Sequence, residues 1–338
     1  MKLVRKIFFP FALIYGLITA VRNFLFDKGI LKSTSFDLAV IAVGNLSVGG
    51  TGKTPQIEYL VRMLCDSYKV ATLSRGYKRQ SKGFVLANEN ANALILGDEP
   101  FQYYQKFPKI QVAVDANRTN GIEQLLSQKT KPEIILLDDA FQHRKVQAGL
   151  YILLTAYGDL YADDFMLPMG NLRESRTGGK RAKIVVVTKC PATLSVEEQN
   201  QIANKLNLAS SQELYFSTIQ YDSVVYGISN QIDVESLKTQ EKVLLAGIAK
   251  PKPFFEYLKN ERDICLTFPD HHHFSDNDLR SIQDKAKGKN IITTEKDYVR
   301  LKDSILQEQL YYLPIQSRLL ANADPFENSV LAFVKSYK

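Results

Sequence analysis

Cysteine is scarce, and its spacing removes two chemistries at once. Cys65, Cys190 and Cys265 lie far apart with no C-x-x-C pair, so neither a disulfide framework nor a thiolate zinc site is written here, and a reducing compartment fits. Histidine is nearly as rare: four residues, three of them consecutive at 271–273. Adjacent side chains on a regular element cannot all face one ion, so the run reads as one acid–base group and not as a metal site. No uncharged run is long enough to be an ordinary spanning helix. The apolar stretch 7–21 falls short of the roughly 20 residues required, and Val21-Arg-Asn-Phe-Leu-Phe26 offers no small-residue cleavage site. Nor is there a dense basic stripe or an aromatic stacking motif. The net charge of +7 is mild for 338 residues and gives no ground for a nucleic-acid partner.

What is present begins in that N-terminal stretch. Lys2, Arg5 and Lys6 precede it and Arg22 follows it, the pattern of an interfacial helix with cations available to anionic headgroups. A helix packed on its own domain is the other reading. The rest of the chain is organised around Ser47-Val-Gly-Gly-Thr-Gly-Lys-Thr54. An apolar run at 38–43 enters it and an amphipathic segment at 57–64 leaves it, the strand, glycine-rich loop and helix order of a P-loop. Ser47, Val48, Gly49, Gly50, Thr51 and Gly52 form a cradle whose backbone N–H groups turn toward an anion. Lys53 is placed to reach the outer phosphates and Thr54 to set a hydroxyl on Mg²⁺. Ser47 stands where the common pattern has glycine, and Val48 where partitioning-type ATPases carry a signature lysine. A membrane-associated ATPase of the partitioning or targeting type is the alternative function, and the missing lysine argues against it. In Thr188-Lys-Cys-Pro191 the aspartate that reads guanine is replaced by Pro191, so GTP is disfavoured.

Carboxylates follow at useful places. Gly97-Asp-Glu-Pro100 holds Asp98 and Glu99 before a proline, and residues 134–137 form an apolar run ending in Asp138-Asp139, the form of a Walker B strand. Arg75 lies in a turn after a short β-type run, suited to a phosphate or carboxylate. His143 follows the paired acids. Between the strand candidates 151–155 and 184–188 runs a long polar loop with Asn171, Arg173 and Glu174, suited to a hydroxyl-rich or charged substrate. From about residue 221 a linker strand leads into a second alternation of strands and helices. The expected fold is α/β: a P-loop NTPase-like parallel-sheet domain (34–220), a smaller C-terminal α/β domain (221–338) and the N-terminal apolar interfacial helix (1–33). At this length two cores are the default.

Taken together, these residues resemble the tetraacyldisaccharide 4'-kinase family of lipid A biosynthesis. The match is carried by 47–54, Ser74-Arg-Gly-Tyr77, Gly97-Asp-Glu-Pro100, Asp138-Asp-Ala-Phe-Gln-His143, 168–174, Pro269-Asp-His271 and Thr294-Glu-Lys-Asp297, in family order along almost the whole chain. The family loop resembles S-V-G-G-[TS]-G-K-T, which accounts for Ser47, while Ala140 stands where the family usually has glycine. The resemblance implies ATP-dependent phosphorylation of the 4'-hydroxyl of a tetraacyl glucosamine disaccharide 1-phosphate on the cytoplasmic face of the bacterial inner membrane. It implies Asp98 as general base assisted by His271, chosen because it directly follows Asp270, and a cleft that closes to bring them together. Mg²⁺ falls to Thr54, Asp138 and Glu99, and the headgroup or its supporting shell to Arg75, Asp139, Gln142, His143, Asn171, Arg173 and Glu174.

Overall fold

A computed structural model describes residues 5–337; Lys2 lies outside them. The larger sheet contains β1 (Ala39–Asn45), β2 (Val70–Ser74), β3 (Val85–Leu86), β4 (Gln111–Val114), β5 (Ile134–Asp138), β6 (Leu150–Ala156), β7 (Ile184–Thr188), β8 (Glu213–Tyr221) and β15 (Ile315–Leu319). Its order is β15-β8-β7-β6-β1-β5-β2-β4-β3, parallel except for the two edge strands β15 and β3. All seven residues of β1 are buried, because layers cover both of its faces. Alternation divides them. Ala39, Ile41 and Val43 meet Ile57, Leu60 and Leu64 of the helix Lys53–Leu64, while Val40 and Ala42 meet Ile122 and Leu125 of the helix Arg118–Leu126. Each fully buried leucine or isoleucine contributes about 2 kcal/mol against exposure.

The smaller sheet contains β9 (Val224–Tyr226), β10 (Gln231–Asp233), β11 (Val243–Ala246), β12 (Ile264–Thr267), β13 (Ile291–Thr294) and β14 (Leu310–Leu313), ordered β10-β9-β14-β13-β11-β12. Strands β14, β13, β11 and β12 are parallel, as the alternation predicts, and β9 and β10 add an antiparallel edge.

The C-terminal boundary differs from the expected 221–338. β15 pairs antiparallel with β8 in the larger sheet, and the final helix, Asp324–Lys335, buries Phe326, Val330 and Val334 against β1 and the helix Lys53–Leu64. The small lobe is thus an excursion between two strands of the large one. The cause is apolar: Phe326 is fully buried, with its ring set edge-on to those of Tyr59 and Tyr215.

The N-terminal helix, Phe9–Asp27, packs one face on the large lobe and leaves the other exposed. Ala12, Tyr15, Gly16, Thr19, Asn23 and Phe26 recur at helical spacing and turn toward the large lobe, where the Tyr15 hydroxyl donates to the Arg173 carbonyl at 2.9 Å. The opposite face exposes Phe11, Leu13, Ile14, Leu17, Ile18, Val21 and Phe24. At 19 residues the helix also meets the length and composition of a membrane-crossing segment.

Candidate active site

The glycine-rich loop leaves β1 at the carboxyl edge of the sheet, between β5 and β6, where the strand order reverses and ligands of such folds gather. Gly49 (φ 116°) and Gly52 (φ 82°) take backbone conformations that side chains resist, and the helix begins at Lys53. The long polar loop braces the cradle. Val48 N–H donates to the Asn171 carbonyl at 2.8 Å, and Ser47 bridges to Leu172. From the other side the Lys189 ammonium donates to the Gly50 carbonyl at 2.6 Å, and the Thr188 hydroxyl to the Thr51 carbonyl at 2.7 Å.

Lys53 Nζ lies 3.5 Å from Asp139 and 3.4 Å from Asn45 Oδ1. Arg173 joins the same group, donating to Asp139 Oδ1 at 2.9 Å and to the Asn45 side chain. Burial alone would raise the Asp139 carboxyl, but Lys53 and Arg173 bring it down to about 2. Asp138 behaves oppositely. It ends β5, is buried, and is pushed up to about 7 by burial and by the nearby charges of Glu99 and Asp139. Its Oδ2 faces the hydroxyls of Tyr103 at 3.3 Å and Ser74 at 3.4 Å, while its Oδ1 is buried without a hydrogen-bond partner among the described residues. The two adjacent acids therefore differ in state: one is ion-paired and the other is buried with its carboxyl raised.

Asp98 and Glu99 stand in the first turn of the helix Asp98–Lys106, not in the loop that the flanking Gly97 and Pro100 suggest. Gly97 (φ 92°) sits against the Tyr77 carbonyl, so the turn carrying Arg75 and Tyr77 adjoins these acids. His271, left-handed at φ 57° just beyond β12, crosses from the small lobe to place Nδ1 3.1 Å from Asp98 Oδ2. Burial works to raise the Asp98 carboxyl, but the His271 hydrogen bond and the charges of Arg300, His271 and Lys296 outweigh it, leaving it below the ordinary value. The two lobes already touch at this couple, so no further closure is needed to form it.

The remaining expected residues divide. Gln142 and Glu174 form a tight group: the Gln142 amide donates to Glu174 at 2.9 Å and to the Asn45 carbonyl at 2.8 Å, and Asn23 and Arg181 complete the carboxylate. Glu174 is buried, so it ties the N-terminal helix to the cradle. Asn171 holds the loop through its backbone, and its side chain accepts from Arg5 at 3.0 Å. His143 is half-buried with Nε2 unpartnered among the described residues, its imidazole lowered to about 4 by burial and by the cations Arg118, Lys145, Arg22 and Arg75. Arg75 itself is exposed.

Sequence reasoning missed several neighbours. Arg118 is buried beneath the strand end, donating to the carbonyls of Asp115 at 2.6 Å and Asp138 at 3.1 Å. Asn45, Tyr103, Lys189, Lys296 and Arg300 also escaped. Lys189 and Lys296 carried a signal, their places inside Thr188-Lys-Cys-Pro191 and Thr294-Glu-Lys-Asp297; the others become visible through distant chain crossings.

A cradle for phosphates, a buried acid across from it and a carboxylate–imidazole couple closing the cleft define the class of P-loop kinases. Sequence comparison narrows the class: residues 4–335 match the family described as Tetraacyldisaccharide-1-P 4'-kinase. A tetraacyldisaccharide 4'-kinase of Flavobacterium johnsoniae is 71% identical, with 99% of this chain and 98% of the relative covered. One from Bacteroides thetaiotaomicron is 47% identical over 98% and 94%. Among solved structures, LpxK from Aquifex aeolicus, crystallised with ATP, superposes with a TM-score of 0.80 at 30% identity, covering 98% of this chain and 99% of that one. The chain belongs to the tetraacyldisaccharide 4'-kinase family, phosphotransferases of lipid A biosynthesis.

Proposed function

We propose that the protein moves the γ-phosphoryl group of ATP to the 4'-hydroxyl of its acylated disaccharide 1-phosphate with Asp98 as base, and that it works at the cytoplasmic face of the inner membrane. The observation that carries the assignment of the base is the Asp98–His271 contact at 3.1 Å, made from both lobes over the cleft that holds the cradle. A sugar hydroxyl is a very weak acid, so a carboxylate must accept its proton as the new O–P bond forms and the bond to the leaving diphosphate breaks. Asp98 accepts at one oxygen while His271 holds the other. Lys53 and the amides of 48–54 bear the charge of the β- and γ-phosphates.

Thr54, Asp138 and Glu99 fit a divalent cation. Asp138 Oδ1 is buried without a partner among the described residues, and the charge of Glu99 reaches Asp138 strongly enough to raise its carboxyl, a clash that a cation would relieve. Mg²⁺ there would neutralise charge on the phosphates. Arg75 and His143 line the approach for the headgroup, while Asp139 and Arg173 act beside Lys53, with Gln142, Asn171 and Glu174 supporting them. The exposed apolar face of the helix Phe9–Asp27 would rest in the acyl-chain boundary of the bilayer.

The test is direct. Purified protein is incubated with the detergent-dispersed disaccharide 1-phosphate and labelled ATP, and the lipid is analysed for phosphate at position 4'. Labelled lipid is expected; ATP hydrolysis with no lipid product, whatever the detergent, would overturn the assignment.

A further inference from the structure

The motif Thr294-Glu-Lys-Asp297 is left without a task by phosphate and cation binding, yet it opens the helix Glu295–Leu301 with both of its acids anchored. Glu295 receives Lys106 of the large lobe at 2.6 Å. Asp297 is fully buried, accepting from Gly247 N–H at 2.8 Å, from the Thr294 hydroxyl at 2.8 Å and from Arg300 at 2.6 Å. Between these anchors Lys296 points at the acid–base couple, its Nζ 2.9 Å from His271 Nε2.

We propose that Lys296 is a positioning residue that fixes the tautomer of His271, an inference that rests on Asp98 being the base. An ammonium group has donors only, so at 2.9 Å His271 Nε2 must present its lone pair. The ring proton is then held on Nδ1, where it donates to Asp98 Oδ2. The other groups facing the ring agree. Arg300 Nε lies 3.7 Å from Asp98 and supports its anionic form. Asp270 at 3.5 Å and Glu99 at 3.9 Å flank the Lys296 ammonium, and Tyr77 meets the imidazole edge-on with ring centres 5.3 Å apart. If Lys296 is removed, Nε2 is free to carry the proton. Nδ1 then turns a lone pair toward Asp98 and the contact fails, or the ring takes a second proton and locks the carboxylate in an ion pair. Either outcome leaves a poorer base.

The test reads the tautomer itself. Full-length protein labelled with ¹⁵N-histidine is compared with Lys296→Met, Lys296→Gln and Lys296→Arg, the His271 signals being assigned by their loss in His271→Gln. The wild type and Lys296→Arg are expected to show protonated Nδ1 and bare Nε2. Lys296→Met is expected to show protonated Nε2, and Lys296→Gln, whose amide can accept as well as donate, a mixture. In Lys296→Met kcat should fall roughly tenfold or more with KM for ATP unchanged, and Lys296→Arg should restore most of it. An unaltered Nδ1–H signature in both Lys296→Met and Lys296→Gln overturns the proposal. So does a loss of kcat that Lys296→Arg does not rescue. The spectra need no turnover, so a wild type that phosphorylates no lipid would defeat the functional reading and leave the tautomer question answered.

Discussion

Individual side chains in this site are set by what surrounds them more than by their type. Asp138 and Asp139 are neighbours in sequence, yet one is raised to about 7 and the other lowered to about 2, because the chain turns between them and sends Asp139 (φ 48°) to Lys53 and Arg173. Lys53→Ala is expected to abolish turnover, measured by lipid phosphorylation, since it removes the lysine of the glycine-rich loop and leaves Asp139 with Arg173 alone. Asp98→Ala should lower kcat by roughly 10² or more while ATP still binds by calorimetry; near-normal turnover would remove Asp98 from the mechanism. Gly44 makes a quieter prediction. A Cβ there would come within 2.7 Å of Phe141 Cβ and 2.9 Å of its backbone nitrogen, so β1 runs beneath the turn after Asp138 with no room to spare. Gly44→Ala should cost about 1–3 kcal/mol in thermal or denaturant melts and lower kcat as well, by shifting the paired acids.

At the scale of elements, the two lobes are clamped by a mixed-charge contact that sequence gave no hint of. Lys106 lies between Glu58 at 2.8 Å and Glu295 at 2.6 Å. Burial and the charge of Glu58 push Glu295 up to about 7 despite Lys106. The folded protein therefore holds a proton on Glu295 that the unfolded chain releases above its ordinary value near 4.5. This contribution to stability is present at low pH and lost as pH rises toward about 7. Glu295→Gln should flatten that segment of the Tm-against-pH curve; an unchanged slope would show the carboxyl to be ionised throughout. The N-terminal helix is the second such element. Leu13, Leu17 and Phe24 are exposed, so changing all three to Ser should leave Tm nearly unaltered yet weaken binding to anionic vesicles by more than roughly tenfold, each lost side chain being worth about 2 kcal/mol when buried.

These elements also show what a sequence displays and what it hides. The cradle, the Walker B strand and the apolar helix were legible because local periodicity and glycine spacing dictate them, and Asp98 and His271 because a family pattern singles them out. Arg118, Tyr103 and Asn45 were not, since their importance lies in reaching Asp138 and Arg173 across the sheet. The final strand was hidden for the same reason. Nothing near Ile315 announces that it will pair with Tyr221, ninety-odd residues earlier, and the domain boundary moved accordingly.

For the whole molecule, that returning strand governs how the lobes are joined. β8 carries the chain out of the large sheet and β15 brings it back alongside, with Tyr221 opposite Ile315 in register and Asp222 N–H donating to the Pro314 carbonyl at 3.0 Å. The small lobe hangs from a two-stranded stalk and is tied to the large one by His271 on Asp98, Glu295 on Lys106 and Lys250 on Asp159, and by Val299 packed with Leu96 and Phe101. Because the stalk's two rails end side by side, the polypeptide from 222 to 314 is removable without cutting the larger sheet. An Asn-Gly turn spliced between Tyr221 and Ile315 should suffice to reconnect them. The shortened protein is expected to melt cooperatively and retain nucleotide, yet to phosphorylate nothing, having kept the grip on ATP and discarded the hand that readies the acceptor.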